Sequence, residues 1–494
     1  MKDENKEQAK EFYKKGEVFL KEKNYIEAIE SFNKAIELDP HEKYYYYYRG
    51  DAKFNLNKYK EAIKDLDKAI ELKNNMLSAL YYRANIKSHL EEYEEAIKDY
   101  DKCVKLRPNF LNAYNNRGIS KLILEEYEEA IEDFDKCLEL NSKYLNAYYN
   151  RGMAKYELQK YEEAINDFNK VIELKPRYIE AYHSRGYANA YLGNYKEAIE
   201  NYDKAIKDFD KAIELDSNYV EAYNSRADAK YNLKQFNEAI EDLNKAIELN
   251  SFNFYLYNDR GLIKNELKNY KEAIEDYNKS IELNPFYLNP YFNRGYTKYW
   301  LKQYDEALED YNKCLELDNN YIDAYNEIGI TKIRLANIEL KNNNILKARE
   351  LLNDAINYFN KCIELDSNYP ESYDGIGYAK TKLANIERNN NNLSKAIEIY
   401  NECLKDFYKT IELNSEHEYA LNSLGYIKNI LSNIQKENIT EEEYKKLKSE
   451  SLESFKKAYK LADNELKEKI KKYLIKLSKE NDITGTNFCK YLEK

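Results

Sequence analysis

Glycine and proline are scarce in this sequence, at 13 and 6 of 494 residues. No glycine-rich loop able to cradle a phosphate can be found, which removes the common nucleotide-binding motifs. Six cysteines and four histidines are scattered, with no pair at zinc-ligand spacing, so no metal site is expected. No run of about 18 apolar residues occurs, so no membrane-spanning helix is expected. The opening stretch, MKDENKEQAK, lacks the apolar core of a signal peptide, and the expected address is cytoplasmic. Positive charge is also short. Lys and Arg number 78 against 89 acids, and a net charge of −11 suits neither a nucleic-acid track nor a membrane surface.

What the chain has in abundance is self-similarity. Residues 111–144, LNAYNNRGISKLILEEYEEAIEDFDKCLELNSKY, recur with a period of 34. Counting Leu111 as position 1 puts Tyr114 at 4, Gly118 at 8, Tyr127 at 17, Ala130 at 20, Phe134 at 24 and Cys137 at 27. Ten glycines occupy position 8, and Pro40, Pro108, Pro176 and Pro285 occupy position 32, where a helix must stop. Spacings of three and four bring positions 4, 8 and 11 onto one face of a first helix, A, over roughly positions 2–14. The same spacings align 17, 20, 24 and 27 on a second helix, B, over roughly 18–30. Cys103, Cys137, Cys314 and Cys362 share position 27, elsewhere Ala, Ser or Val, and read as free thiols in a small buried slot.

This framework of aromatic, small, aromatic and small residues resembles the tetratricopeptide repeat (TPR). The usual Trp, Leu and Tyr of that family at positions 4, 7 and 11 are here Tyr114, Arg117 and Lys121. The resemblance implies an all-α fold, an α–α superhelix (a TPR solenoid) of stacked antiparallel helix pairs. The expected organisation is a polar leader at 1–8, then nine units over 9–321, then three 48-residue units over 322–465. The sixth unit, 179–219, is lengthened by one heptad, which turns a helix by about 700° and so preserves its buried face. The 48-residue units carry two extra heptads each, read as taller hairpins with Asn-rich tips. An amphipathic helix at 466–479 reads as a cap, and 480–494 as a flexible tail.

Position 7 is Arg in eight consecutive units, position 11 is usually Lys and position 23 usually Asp, as in Arg117, Lys121 and Asp133 or Arg151, Lys155 and Asp167. The sixth unit keeps Arg185 but has Asn189 and Asn201 at the other two positions. Groups that come and go together are expected to touch, so the triad reads as an ion-pair network between helices rather than a ligand site.

In the family, stacked A helices line a concave groove, with positions 2, 5, 9 and 12 facing it. The candidate groove residues here are Tyr47, Tyr81, Asn115, Tyr149, His183, Asn224, Asn258, Phe292 and Asn326 at position 5, with Asn116, Asn150 and Asn293 at position 6. Amides can pair with any peptide backbone, and tyrosines give contact area at low entropy cost. Position 5 and position 9 carry no Lys or Arg, so the clamp by which some relatives hold acidic chaperone tails is missing. The same Tyr and Asn excess also fits an AT-rich coding sequence, and both explanations stand at this level.

The expected function is a non-enzymatic protein–protein interaction scaffold that binds an extended peptide or partner segment in a Tyr/Asn-rich groove. The alternative is a regulatory or targeting subunit of an enzyme carried on a separate chain, since too little lies outside the repeats to house a catalytic domain. A nucleic-acid-binding helical repeat is a third, less favoured reading. No catalytic residue, metal or cofactor is named.

Overall fold

The computed structural model describes residues 2–192, 198–479 and 484. These form 25 helices and no strand among the described residues. The chain divides into two compact units, Met1–Leu249 and Asn250–Lys494. In each unit, helix pairs follow one another in chain order, every pair packing on the next. The sequence explains the hairpin. In the fourth repeat, helix A is Leu111–Ile123 and helix B is Tyr127–Leu140. A lone Glu125 in the left-handed region, φ 62°, reverses the chain between them. Against Gly118 lies the ring of Phe134, so close that an added Cβ would meet it at 2.7 Å. That approach lets Ala130, Phe134 and Cys137 bury completely, with Ala147 of the next repeat closing the cluster.

Several expectations are adjusted by the structure. The first helix runs Lys2–Lys21, so residues 2–8 continue helix A of the first repeat and are not a separate leader. In the sixth repeat, helix B is described from Ala198 to Leu215, 18 residues against 14 elsewhere, while residues 193–197 lie outside the described set. The Phe209 ring, not Tyr202, sits opposite Gly186, so the extra heptad precedes the part of the helix that packs.

In the second unit, the hairpins Ile322–Lys341 with Ile345–Leu365, and Pro370–Asn389 with Leu393–Leu413, are built from helices of 20 and 21 residues. Seven added residues per helix keep the register, and Gly329 and Gly377 face Phe359 and Phe407 as Gly118 faces Phe134. The last tall hairpin differs at its tip. Its second helix, Glu441–Leu461, starts on a capping box in which Thr440 Oγ1 accepts from the Glu443 amide. A final helix, Asn464–Lys479, lays Leu466, Ile470, Leu474 and Leu477 against Leu421, Phe455 and Ala458. Of the expected tail at 480–494, only residue 484 is within the described set.

Candidate functional site

The arginines come first, because they are the most conspicuous charges. Arg117 Nε donates to Asp133 Oδ2 at 2.9 Å and Nη2 donates to Asp133 Oδ1, a two-pronged bond between helices A and B. Lys121 Nζ lies 2.9 Å from the same carboxylate, which is only 2% exposed. Arg151, Lys155 and Asp167 repeat the arrangement, with Nε–Oδ2 at 2.9 Å and Lys155 Nζ at 3.0 Å. At Asp99, burial opposes the charge, but bonds from Arg83 and Lys87 outweigh it and hold the carboxyl below its ordinary value.

Two features of this network are invisible in a single repeat. The third prong, Nη1, reaches back to helix B of the preceding repeat: Arg117 to Asp101 at 2.6 Å, Arg151 to Asp135 at 2.5 Å, Arg185 to Asn169 at 2.5 Å. The guanidinium also lies over the position-4 ring, with Arg117 Cζ 5.4 Å from the Tyr114 centroid. The sixth repeat does not lose its acid. Arg185 grips Asp208 at 3.0 and 2.6 Å, with Asn189 Nδ2 donating at 3.2 Å in place of the lysine. Counting through the inserted heptad from its N-terminal side had pointed to Asn201, which is one heptad too early.

The groove candidates separate by position. Position 5 turns inward. Tyr81 packs between Tyr100 and Phe110 at 6.1 and 4.8 Å, and Tyr149 between Phe168 and Tyr178 at 5.9 and 5.4 Å. His183 is held likewise by Phe209 and Tyr219, and Phe292 by Tyr311 and Tyr321. Burial depresses the His183 pKa below its ordinary value. Asn115, Asn258 and Asn326 are 5, 5 and 7% exposed. Position 5 is therefore divided: Asn115, Asn258 and Asn326 are buried, while Tyr149 and His183 pack on rings and still line a cleft. Tyr47 packs on Tyr82 at 6.1 Å, and Asn150 and Asn224 are half-buried.

Position 6 forms a seam between successive A helices. Asn116 Nδ2 donates to Tyr81 Oη and Asn85 Oδ1, both at 3.1 Å. Asn293 Nδ2 donates to Asn258 Oδ1 at 3.0 Å, and Tyr149 Oη lies 3.3 Å from Ser184 Oγ. These amides are largely spent on their own chain. Beside the seam, clefts open. One of about 300 Å³ is lined by Tyr149, Met153, Tyr156, His183, Ser184 and Tyr187. A second, about 320 Å³, is lined by Asn85, Ser88, His89, Tyr100, Asn116 and Ile119. Their outer walls come from positions 9 and 12, joined in the second by position 13. Position 13, with His89, Tyr191 and Trp300, was missed in the sequence, although it lies four residues beyond position 9 on the same helical face.

Models of the tetratricopeptide repeat match residues 9–42, 44–76, 78–110, 111–144, 220–253, 254–287 and 286–361, and a TPR repeat model matches 152–193 and 201–234. The chain belongs to the tetratricopeptide repeat family. No curated protein sequence matches this TPR protein significantly. Solved structures that resemble it include YrrB, described as a TPR protein with an unusual peptide-binding site. YrrB is 26% identical over 39% of this chain and 96% of its own, with a TM-score of 0.35. A tetratricopeptide repeat protein of Parabacteroides merdae is 22% identical over 52% of this chain and 99% of its own, with a TM-score of 0.41. Yeast Tom70 is 18% identical over 93% of each chain, with a TM-score of 0.39. Among the described residues, no helix of the TPR array is long and apolar enough to cross a membrane.

Proposed function

We propose that this TPR protein is a non-enzymatic scaffold whose A-helix face binds an extended segment of a partner protein. The observation that carries the reading is the cleft at Tyr149, Met153, Tyr156, His183, Ser184 and Tyr187. It is open, walled by rings, and offers hydroxyl groups as orienting contacts. The binding surface is then built from positions 6, 9 and 12 together with the position-5 rings of Tyr149 and His183. The arginine ladder supports a peptide over a nucleic acid, because seven of its members bind acids within their own repeat and an eighth, Arg185, binds Asp208 across the inserted heptad. Locked guanidinium groups leave little to grip phosphates.

A photo-crosslinking side chain placed at Tyr156 or Tyr187 tests this. In native lysate, protein adducts are expected from both positions and not from Lys102 on helix B. Adducts that are exclusively RNA, or equal yields from all three positions, would overturn the reading. A partner enzyme recovered this way, with a rate changed by the array, would favour the regulatory-subunit alternative.

A further inference from the structure

The two clefts of the first unit share positions 9 and 12 of one repeat and position 6 of the next, and the second adds positions 13 and 24. In the second unit, the same positions of the ninth and tenth repeats are Tyr296, Tyr299, Trp300, Tyr311 and Glu327. Three observations set this place apart.

The first is an unpaired acid. Glu327 is half-buried on helix Ile322–Lys341, and no Lys, Arg or His lies within ion-pair distance of it among the described residues. Its hydrogen-bond partner is the neighbouring Asn326. Arg334, seven residues further along the same helix, donates from Nε to Tyr299 Oη at 2.7 Å. Asp323, one turn back, accepts from Tyr369 Oη at 3.3 Å.

The second is an orphan hydroxyl. Tyr311 is 0% exposed and its Oη has no hydrogen-bond partner. Its counterpart, Tyr100, donates to Asn85 Oδ1 at 2.7 Å, the atom that also accepts from position 6 of the next repeat. In the ninth repeat, Tyr296 replaces that asparagine, so the acceptor is gone, and the Glu327 charge is the foremost one acting on the Tyr311 hydroxyl. A buried hydroxyl without a partner costs stability, and it lies close to the Glu327 carboxylate.

The third is the rim. Trp300 and Tyr296 are 55% and 37% exposed, with ring centroids 6.1 Å apart, and Tyr299 buttresses Trp300 at 5.8 Å.

We propose that Glu327, Trp300 and Tyr296 form a subsite for one basic side chain, Lys or Arg, of the bound segment. The inference rests on the scaffold reading above and adds the chemistry of one anchor residue. An ammonium or guanidinium supplies the countercharge Glu327 lacks. Its methylene stem and charge lie against the Trp300 and Tyr296 faces. A lone carboxylate with no second free anionic ligand suits such a cation and not a divalent metal.

Trp300 is the single tryptophan of the chain, so the intact protein carries its own reporter. Acetyl-Ala-Arg-Ala-amide and its Lys version are titrated at pH 8 while Trp300 emission is followed. Norleucine and Glu versions, and spermidine, serve as comparison ligands. A saturable change is expected with Arg and Lys only, weakened at least tenfold in Glu327→Gln and partly retained in Glu327→Asp. Far-UV circular dichroism establishes that each variant is folded. An equal response to the norleucine peptide, a response to spermidine alone, or an unchanged response in folded Glu327→Gln would overturn the subsite. Loss of this response with crosslinking at Tyr156 and Tyr187 intact sinks only the subsite. Loss of crosslinking with the response intact sinks the scaffold reading instead.

Discussion

At the level of single residues, charge burial separates two kinds of carboxylate. Asp133 is almost sealed from solvent yet held by two cations, so its burial is compensated. Removing one partner leaves a partly stranded charge. Arg117→Ala is therefore expected to cost about 3 kcal/mol in chemical denaturation, the low end for a broken buried pair because Lys121 remains. Glu327 is the opposite case. Burial, with a contribution from the Asp323 charge, pushes its pKa up to about 7. The folded state thus binds the Glu327 proton more tightly than the unfolded chain does. Stability falls as pH rises from about 4.5 through 7, and the cost above that window is about 3 kcal/mol. Glu327→Gln should stabilise the second unit by that amount at pH 8 and by nothing at pH 4.5. Parallel urea curves at both pH values would contradict it. Burial likewise pushes the Cys137 thiol up to about 12, so this buried cysteine should react with alkylating reagents only on unfolding.

At the level of the helix pair, the close approach of A to B sets what each small residue tolerates. A methyl group at Gly118 would meet Phe134 at 2.7 Å, whereas at Gly50 it meets Ala62 O at 3.3 Å and the flexible Leu66 at 3.4 Å. Gly118→Ala is expected to destabilise by about 1–3 kcal/mol through overpacking. Gly50→Ala should be neutral or mildly stabilising, since alanine favours the helix by about 1 kcal/mol. Equal melting shifts for the two would show that the ring contact does not govern the pair. Glu125→Gly relieves a left-handed glutamate in the turn and should gain about 1 kcal/mol.

The helix pairs themselves were legible because buried small and aromatic slots repeat at helical spacing. The seam was not. Whether position 5 faces solvent or a neighbour depends on rings at positions 24 and 34, which a single-helix projection omits. Position 25, the third partner of most of the arginines, reads as an ordinary solvated Asp or Asn because it lies outside the apolar stripe. In the sixth repeat, two equally good registers exist in sequence, and only packing against Gly186 selects Phe209 with Asp208.

At the level of the array, that choice of register makes a prediction about length. Deleting residues 196–202 leaves Asp208 and Phe209 in a repeat of ordinary length, while deleting 203–209 leaves Asn201 and Tyr202 in their places. Both remove one heptad, and both preserve the helical phase. The first variant is expected to melt near the parent temperature. The second should melt distinctly lower, because Arg185 loses its acid, and matching melts would show that the ion pair contributes nothing there. The backward reach of seven of these arginines has a different consequence. Helix A of one repeat cannot detach without also releasing an acid or amide on helix B of the repeat before it. Within either compact unit, nearest neighbours are therefore coupled, as in a one-dimensional chain of spins with a strong interaction energy. Pulled from its ends, such a stack should yield several repeats at each force step, and neutralising the position-25 acids should shorten the steps.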